Sequence, residues 1–271
     1  MYIVFDIGGT HIRVASSPDC VSLSEPLVEE TPADFNEGVR ILKKLMTASA
    51  SGEPIKAAAG GIAGIMSPLD KMLFYSPNLR QWEGNSLRKA LIDGSYDVYV
   101  ENDAALAALG EATSGAGRGG KIVAYYTVST GIGGARIVDG RIDKRTVGFE
   151  PGKQIINNGN LQSVEQFVSG RNIEERYGTK AAGIVNTPLW KKVAEDLAIA
   201  AFNSVTHWSP DTFVFGGPLI LKKPGIDLSD VESALNNFMK IFPVKPVIKK
   251  AELGDKSGLY GAMQYLTQSH F

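Results

Sequence analysis

Two glycine-rich turns, each between apolar strands and in corresponding places of the two halves, constrain this 271-residue chain most. The first is Asp6-Ile7-Gly8-Gly9-Thr10-His11-Ile12-Arg13, directly after the apolar run Tyr2-Ile3-Val4-Phe5. A strand that ends in an acidic residue and turns through two glycines suits the phosphates of a nucleotide. Backbone N–H groups can then approach phosphate oxygens with no side chain between them. Thr10 adds a hydroxyl donor, and Asp6 is placed to hold Mg²⁺, directly or through water. Alone, the octapeptide also suits an ordinary hairpin turn. The second turn, Thr127-Val128-Ser129-Thr130-Gly131-Ile132-Gly133-Gly134-Ala135-Arg136, repeats its logic: apolar strand, hydroxyl- and glycine-rich turn, apolar return strand with an arginine. Internal similarity reports architecture. Two such loops imply two lobes that grip one nucleotide from opposite sides.

Composition narrows the classes. The net charge of −1 offers no basic excess for a nucleic-acid backbone. Cys20 is the one cysteine, so no intrachain disulfide and no multi-cysteine metal site can form, and a cytoplasmic location fits. No apolar stretch approaches the roughly 20 residues that span a bilayer. The N-terminus reads as a strand at once, without a secretory leader. At 44% hydrophobic residues, the chain can fill one large or two ordinary cores.

Strands are expected near 2–6, 11–16 and 22–29, as a meander. Residues 35–50 read as a helix, with Asp34 at its start and Val39, Leu42, Leu45 and Met46 at helical spacing. A small-residue strand follows over 55–61, then a short strand at 97–100 that runs into Asn102-Asp103 and an Ala- and Leu-rich helix over 104–112. Further expectations are a hairpin at 121–138, helices at 163–177, 188–207, 231–241 and 256–267, and a strand at 211–215 closed by Gly216-Gly217. This alternation argues for α/β lobes. The glycine-dense stretch 114–120 is the natural boundary: a first lobe over 1–113, completed by the C-terminal helix 256–271, and a second over 114–255. Gly115 to Lys121 also fits P-loop and G-x-G-x-x-G spacing. Both motifs need a preceding strand and a following helix, and here the order is reversed.

In this order the motifs resemble those of the ROK family (repressors, open reading frames and sugar kinases). Asp6-Ile7-Gly8-Gly9-Thr10 is similar to its first phosphate motif and Thr130-Gly131-Ile132-Gly133-Gly134 to its second. Pro77-Asn78-Leu79 with Trp82 resembles the P-N-L…W segment, and Glu101-Asn102-Asp103-Ala104 the E-N-D-A box. Gly216-Gly217-Pro218 is similar to the adenosine-side glycines, and Leu253 to Ala262 to the C-terminal signature. The resemblance implies a two-lobed actin-like ATPase (ribonuclease H-like) α/β fold, with nucleotide and sugar in the interlobe cleft. It implies an ATP-dependent kinase that transfers the γ-phosphate to a hydroxyl of a hexose or hexosamine, with Asp103 as the catalytic base. Asp6, Gly8, Gly9, Thr10, Arg13, Thr130, Gly131, Gly133, Gly216 and Gly217 would then bind ATP, with Mg²⁺ at Asp6. Asn78, Asn102, Asp103, Glu150, Lys153 and Glu165 would bind the sugar. The implied partners are sugar and ATP, with neither nucleic acid nor membrane; monomer and homodimer both stay open.

Two departures stand out. The family's G-E-x-G-H segment reads Phe149-Glu150-Pro151-Gly152-Lys153, with lysine in the histidine position. Beside Glu150, that lysine either pairs with the carboxylate or stays free for an anionic or carbonyl-bearing group. The family's cysteine-rich zinc motif is replaced by Asn157-Asn158-Gly159-Asn160-Leu161-Gln162-Ser163-Val164, so no structural zinc is expected. Two other readings remain open: a kinase for another small metabolite, and a non-enzymatic sugar-sensing regulator. Family repressors carry a DNA-binding domain ahead of the first phosphate motif, for which a motif starting at Asp6 leaves no room. His11, His207 and His270 form no recognisable triad or metal spacing.

Overall fold

The computed structural model describes residues 1–92, 94–157 and 159–270. The chain opens with strands β1 (Tyr2–Ile7), β2 (His11–Ser17) and β3 (Leu27–Glu30), then helix α1 (Phe35–Ala50). Strands β4 (Ala57–Ile62), β5 (Ile65–Met66) and β6 (Leu73–Tyr75), helix α2 (Leu87–Leu91), strand β7 (Asp97–Asn102) and helix α3 (Asp103–Ser114) follow. Next come β8 (Ile122–Val128), β9 (Ile132–Val138), β10 (Arg141–Ile142), β11 (Ile155–Asn157) and β12 (Gln162–Ser163). Helices α4 (Val164–Val168), α5 (Gly170–Tyr177) and α6 (Thr187–Trp208) precede β13 (Thr212–Gly216). The chain closes with α7 (Pro218–Leu221), α8 (Leu228–Phe238), β14 (Val247–Lys250) and α9 (Ser257–His270). Among the described residues, no helix is long and apolar enough to cross a membrane.

Two compact units result. Unit 1 comprises Met1–Thr113, Lys144–Gly148 and Asp255–Phe271; unit 2 comprises Ser114–Asp143 and Phe149–Gly254. The short piece Lys144–Gly148, expected in the second lobe, groups with unit 1 because Arg145 is ion-paired to Glu101 at 2.8 Å.

In unit 1 the sheet order is β3-β2-β1-β4-β7, with β1 antiparallel to β2 and parallel to β4. Unit 2 repeats this as β10-β9-β8-β13-β14, with β8 antiparallel to β9 and parallel to β13. The two glycine-rich turns thus occupy equivalent positions: one follows the Ile7↔Ile12 pair and the other the Val128↔Ile132 pair.

Strand β4 is buried along its whole length and made mostly of alanine and glycine, as a central strand covered on both faces must be when its neighbours are bulky. Ala58 packs in the core with Phe5, Leu42 and Met46, whereas Ala57 and Ala59 pack against Leu266 of α9. Helices α3 and α9 meet with almost no spacing: a Cβ on Gly261 would lie 1.7 Å from the Leu106 carbonyl oxygen. In unit 2, Tyr126 is fully buried and donates from its hydroxyl to the Ala200 carbonyl of α6 at 3.1 Å.

Several expected bounds shift for local reasons. The strand expected from residue 22 starts at Leu27, because Asp19 accepts from the Val21 and Ser22 N–H groups and curls that stretch. The helix expected over 163–177 is two helices. Ser169 is extended (φ −70°, ψ 149°) and caps the second by accepting from the Asn172 N–H at 3.3 Å. The helix expected at 231–241 begins earlier, at Leu228, behind an Asp227 cap.

Candidate active site

The E-N-D-A box lies where β7 passes into α3. Asn102 is the residue that caps the helix: its Oδ1 accepts from the Ala105 N–H at 2.9 Å, and its Nδ2 donates to the Gly64 carbonyl at 3.0 Å. With Asn102 in the capping place, the Asp103 carboxylate accepts from the Ala104 N–H at 2.8 Å. A Cβ on Gly61 would stand 3.0 Å from Asp103 Cα, so glycine there lets β4 approach the carboxylate's backbone. Glu101, 7% exposed, accepts from the Asn102 N–H at 2.7 Å and pairs with Arg145 at 2.8 Å and Lys71 at 3.9 Å.

Asp6 is the penultimate residue of β1 in the same unit, 3.6 Å from Arg13. It faces the start of α9, where a Cβ on Gly258 would sit 3.2 Å from its carboxyl carbon. Burial raises the Asp6 carboxyl to about 7; the Asp103 charge adds to the rise, Arg13 opposes it, and Asp255 adds again. Burial likewise raises Asp103 to about 6, against the Ala104 N–H. Both groups ionise near 3.8 when unfolded, so the native state holds more protons between about 4 and 7, and stability falls as pH rises through that window. Fold stability is given up here to gather negative charge, as functional sites do.

The first phosphate turn is braced from behind. The Thr31 hydroxyl donates to the Gly8 carbonyl at 2.8 Å, and the Thr31 N–H donates to the Thr10 carbonyl at 3.0 Å. Gly9 and Thr10 are left exposed at the tip. Asn78 lies directly behind Gly9, where a Cβ would come within 2.5 Å of the Asn78 Cβ. Trp82 is a core residue, fully buried and donating from Nε1 to the Pro32 carbonyl at 3.1 Å. Unit 1 therefore brings together Asp6, Gly8, Gly9, Thr10, Arg13, Asn78, Asn102 and Asp103.

Unit 2 holds the remaining expected residues. The Thr130-Gly131 turn is tied to α5, whose Gly170 N–H donates to the Ser129 carbonyl at 2.8 Å. Gly133 pairs with Thr127 across the hairpin. Glu165 lies beside this turn, with Oε1 3.2 Å from where a Gly131 Cβ would be. Lys153 neither pairs with Glu150 nor stays free: its ammonium donates to Glu165 Oε2 at 2.9 Å. Glu150 is exposed one residue before the turn Pro151–Lys153. Gly216 and Gly217 close β13 against β8; Gly217 has φ 84°, and a Cβ on it would fall 2.5 Å from the Val128 carbonyl oxygen. That backbone tolerates no ordinary side chain.

Where the zinc motif would stand, β11 and β12 form a small hairpin. The Asn157 amide donates to Gln162 Oε1 at 3.0 Å and its oxygen accepts from the Gly159 N–H at 3.1 Å. An amide pair closes this loop where a metal would otherwise clip it. Asn158 lies outside the described residues. Sequence reasoning missed Arg145 and Lys71 as charges around the E-N-D-A box, and no motif marks them. Asp255 lies in the C-terminal signature, but its charge beside Asp6 was not expected.

Solved structures share this architecture. A ROK hexokinase from Thermus thermophilus superimposes with a TM-score of 0.85 at 24% identity, covering 100% of this chain and 99% of its own. A ROK family glucokinase from Streptomyces griseus, in complex with glucose and AMPPNP, gives 0.81 at 21% identity, with 99% of each chain covered. The fold is the actin-like ATPase type of these kinases. An N-acetyl-D-glucosamine kinase of Salmonella heidelberg is 26% identical over 97% of this chain and 98% of its own length. The ROK family pattern matches residues 2–269, and the chain belongs to that family.

Proposed function

We propose that this protein is an ATP-dependent sugar kinase, with a hexose or hexosamine as acceptor and Asp103 as general base. The observation that carries this reading is the Asp103 carboxylate: raised to about 6, set at a helix start that Asn102 already caps, and grouped with Asp6. A base poised near the working pH takes a proton most effectively. Asp103 accepts the proton of the sugar hydroxyl as its oxygen attacks the γ-phosphorus, and the bond to the ADP oxygen breaks. In-line positioning of the two oxygens is worth about 7–11 kcal/mol.

Gly8, Gly9 and Thr10 are assigned to phosphate, as are Thr130, Gly131 and Gly133; Gly216 and Gly217 are assigned to the adenosine side. Asp6 suits Mg²⁺, as a hard oxygen donor beside the negative charges of Asp103 and Asp255, which Arg13 offsets in part. Among the described residues no three acidic, histidine or cysteine groups enclose an ion. When bound, Mg²⁺ supplies charge for the phosphate oxygens. Asn78, Asn102, Glu150 and Glu165 are assigned to sugar hydroxyls, Arg13 to holding Asp6.

Sugar-dependent ADP release across a panel of hexoses and hexosamines tests the reading. We expect turnover with at least one sugar, dependence on added Mg²⁺, and no loss after prolonged treatment with a zinc-selective chelator. Sugar binding without ADP release from any member would replace the kinase by a sugar-sensing regulator.

Lys153 bears on which sugar is used. Its ammonium occupies Glu165 Oε2 and only donates, whereas an imidazole donates at one nitrogen and accepts at the other. Lys153→His is expected to free Glu165 and raise the use of plain glucose relative to the native substrate. Because the lysine is half exposed, the gain is about two- to fivefold, read as a ratio of kcat/KM values. A wild-type enzyme that already prefers glucose, with a ratio that falls in the variant, would defeat this.

A further inference from the structure

A cavity of about 270 Å³ opens in unit 1 beside the first phosphate turn, and no step above uses it. Gly9, Thr31, Pro32, Asn78, Arg80 and Gln81 are among the residues that line it. Its shape is held by bonds already described: Thr31 is fastened to the backbone of Gly8 and Thr10, and buried Trp82 is fastened to the Pro32 carbonyl. Arg80 and Trp82 bound the same tight turn, so the buried indole also fixes where the arginine starts.

Among the described residues, the lining contains no carboxylate. The Arg80 guanidinium has neither a hydrogen-bond nor an ion-pair partner among the described residues. Around it are amides at Asn78 and Gln81. A guanidinium presents five donors in a planar fork and no acceptor, a geometry matched by carboxylate or phosphate oxygens. Such a cavity, rich in donors and continuous with Asn78, selects for a negatively charged group on the molecule that Asn78 holds.

We propose that this cavity is a subsite for an anionic substituent, carboxylate or phosphate, on the acceptor sugar, with Arg80 as its specificity-determining residue. This rests on the sugar-kinase reading and narrows its substrate class. The same chemistry could come from a nucleotide phosphate, and binding measurements separate the two sources.

Calorimetric titration of the whole protein and of Arg80→Gln would use glucose, glucuronate, glucose 1-phosphate and a non-hydrolysable ATP analogue. Arg80 is exposed and unpartnered, so the variant should fold with an unchanged Tm. We expect the wild type to bind at least one anionic sugar more tightly than glucose. Arg80→Gln should cut that preference about tenfold and leave glucose affinity within twofold. Three results would overturn the subsite: no anionic preference in the wild type, a preference that survives in Arg80→Gln, or a variant weakened toward the ATP analogue alone. ADP release with neutral sugars but no anionic preference would remove the subsite and keep the kinase. Arg80-dependent anionic binding with no ADP release from any sugar would do the reverse.

Discussion

Asp103→Asn is expected to lower kcat by about 10²–10⁴-fold while sugar and nucleotide affinities change only a few-fold. The substitution is nearly isosteric. Its Oδ1 can still accept from the Ala104 N–H, and Asn102 still caps α3, so the helix start should survive. What is lost is the group that takes the proton. The pH profile offers a second reading. With Asp103 raised to about 6, its base form disappears as pH falls through that value, so wild-type kcat/KM should drop on the acid side of about 6. The residual rate of Asp103→Asn should lack the part of that limb that Asp103 sets, and a fall that remains belongs to Asp6, raised to about 7 chiefly by burial. Steady-state rates from pH 5 to 8 decide the matter; turnover within a few-fold of wild type would remove Asp103 from the base role.

The helix start at Asn102-Asp103 is legible in the sequence and the identity of its capping residue is not, because forces of different range place them. A strand running into Asn-Asp and then into an alanine-rich stretch marks a helix start by local pattern alone. Which of the two acids or amides caps it depends on the turn geometry. Asn102 took the cap and also reached the Gly64 carbonyl, a partner 38 residues away. Lys153 shows the same limit from the other side. The sequence places it beside Glu150, but its long stem carries the ammonium to Glu165, which α4 presents. Arg145 had no sequence signal at all, since its partner Glu101 is reached only after the chain leaves unit 2 and returns to unit 1.

The fold divides similarly. The β1–β2 and β8–β9 hairpins are readable because apolar strands flank glycine turns, and α1 because Asp34 and an apolar stripe mark it. Strand order and the equivalence of the two sheets come from tertiary pairing. Strand β14, Val247–Lys250, is short, half polar and at a sheet edge, so nothing local separates it from a loop. The break between α4 and α5 had a signal that the helical pattern concealed: Ser169-Gly170 pairs a capping residue with a poor helix former.

Arg145→Met is expected to be the most damaging change outside the reacting groups. Glu101 has 9% of its side chain exposed and Arg145 14%, so removing the guanidinium leaves a carboxylate largely out of water, with Lys71, at 3.9 Å, as its remaining ion-pair partner among the described residues. Breaking a buried pair from one side costs about 3 kcal/mol. The consequence reaches Asp103 because the same Glu101 Oε1 accepts from the Asn102 N–H. A carboxylate that turns toward water abandons that bond and loosens the two residues that start α3. A displacement of about 1 Å can cost up to about 10²-fold in rate. We therefore expect a lower Tm together with a kcat reduced about tenfold. Glu101→Met in the same background distinguishes the two effects. It removes the stranded charge and should recover part of the Tm, since an apolar pair replaces the ionic one. It cannot restore an acceptor for the Asn102 N–H, so kcat should stay low. If kcat recovers in step with Tm, the ion pair acts on stability alone and has no part in positioning Asp103.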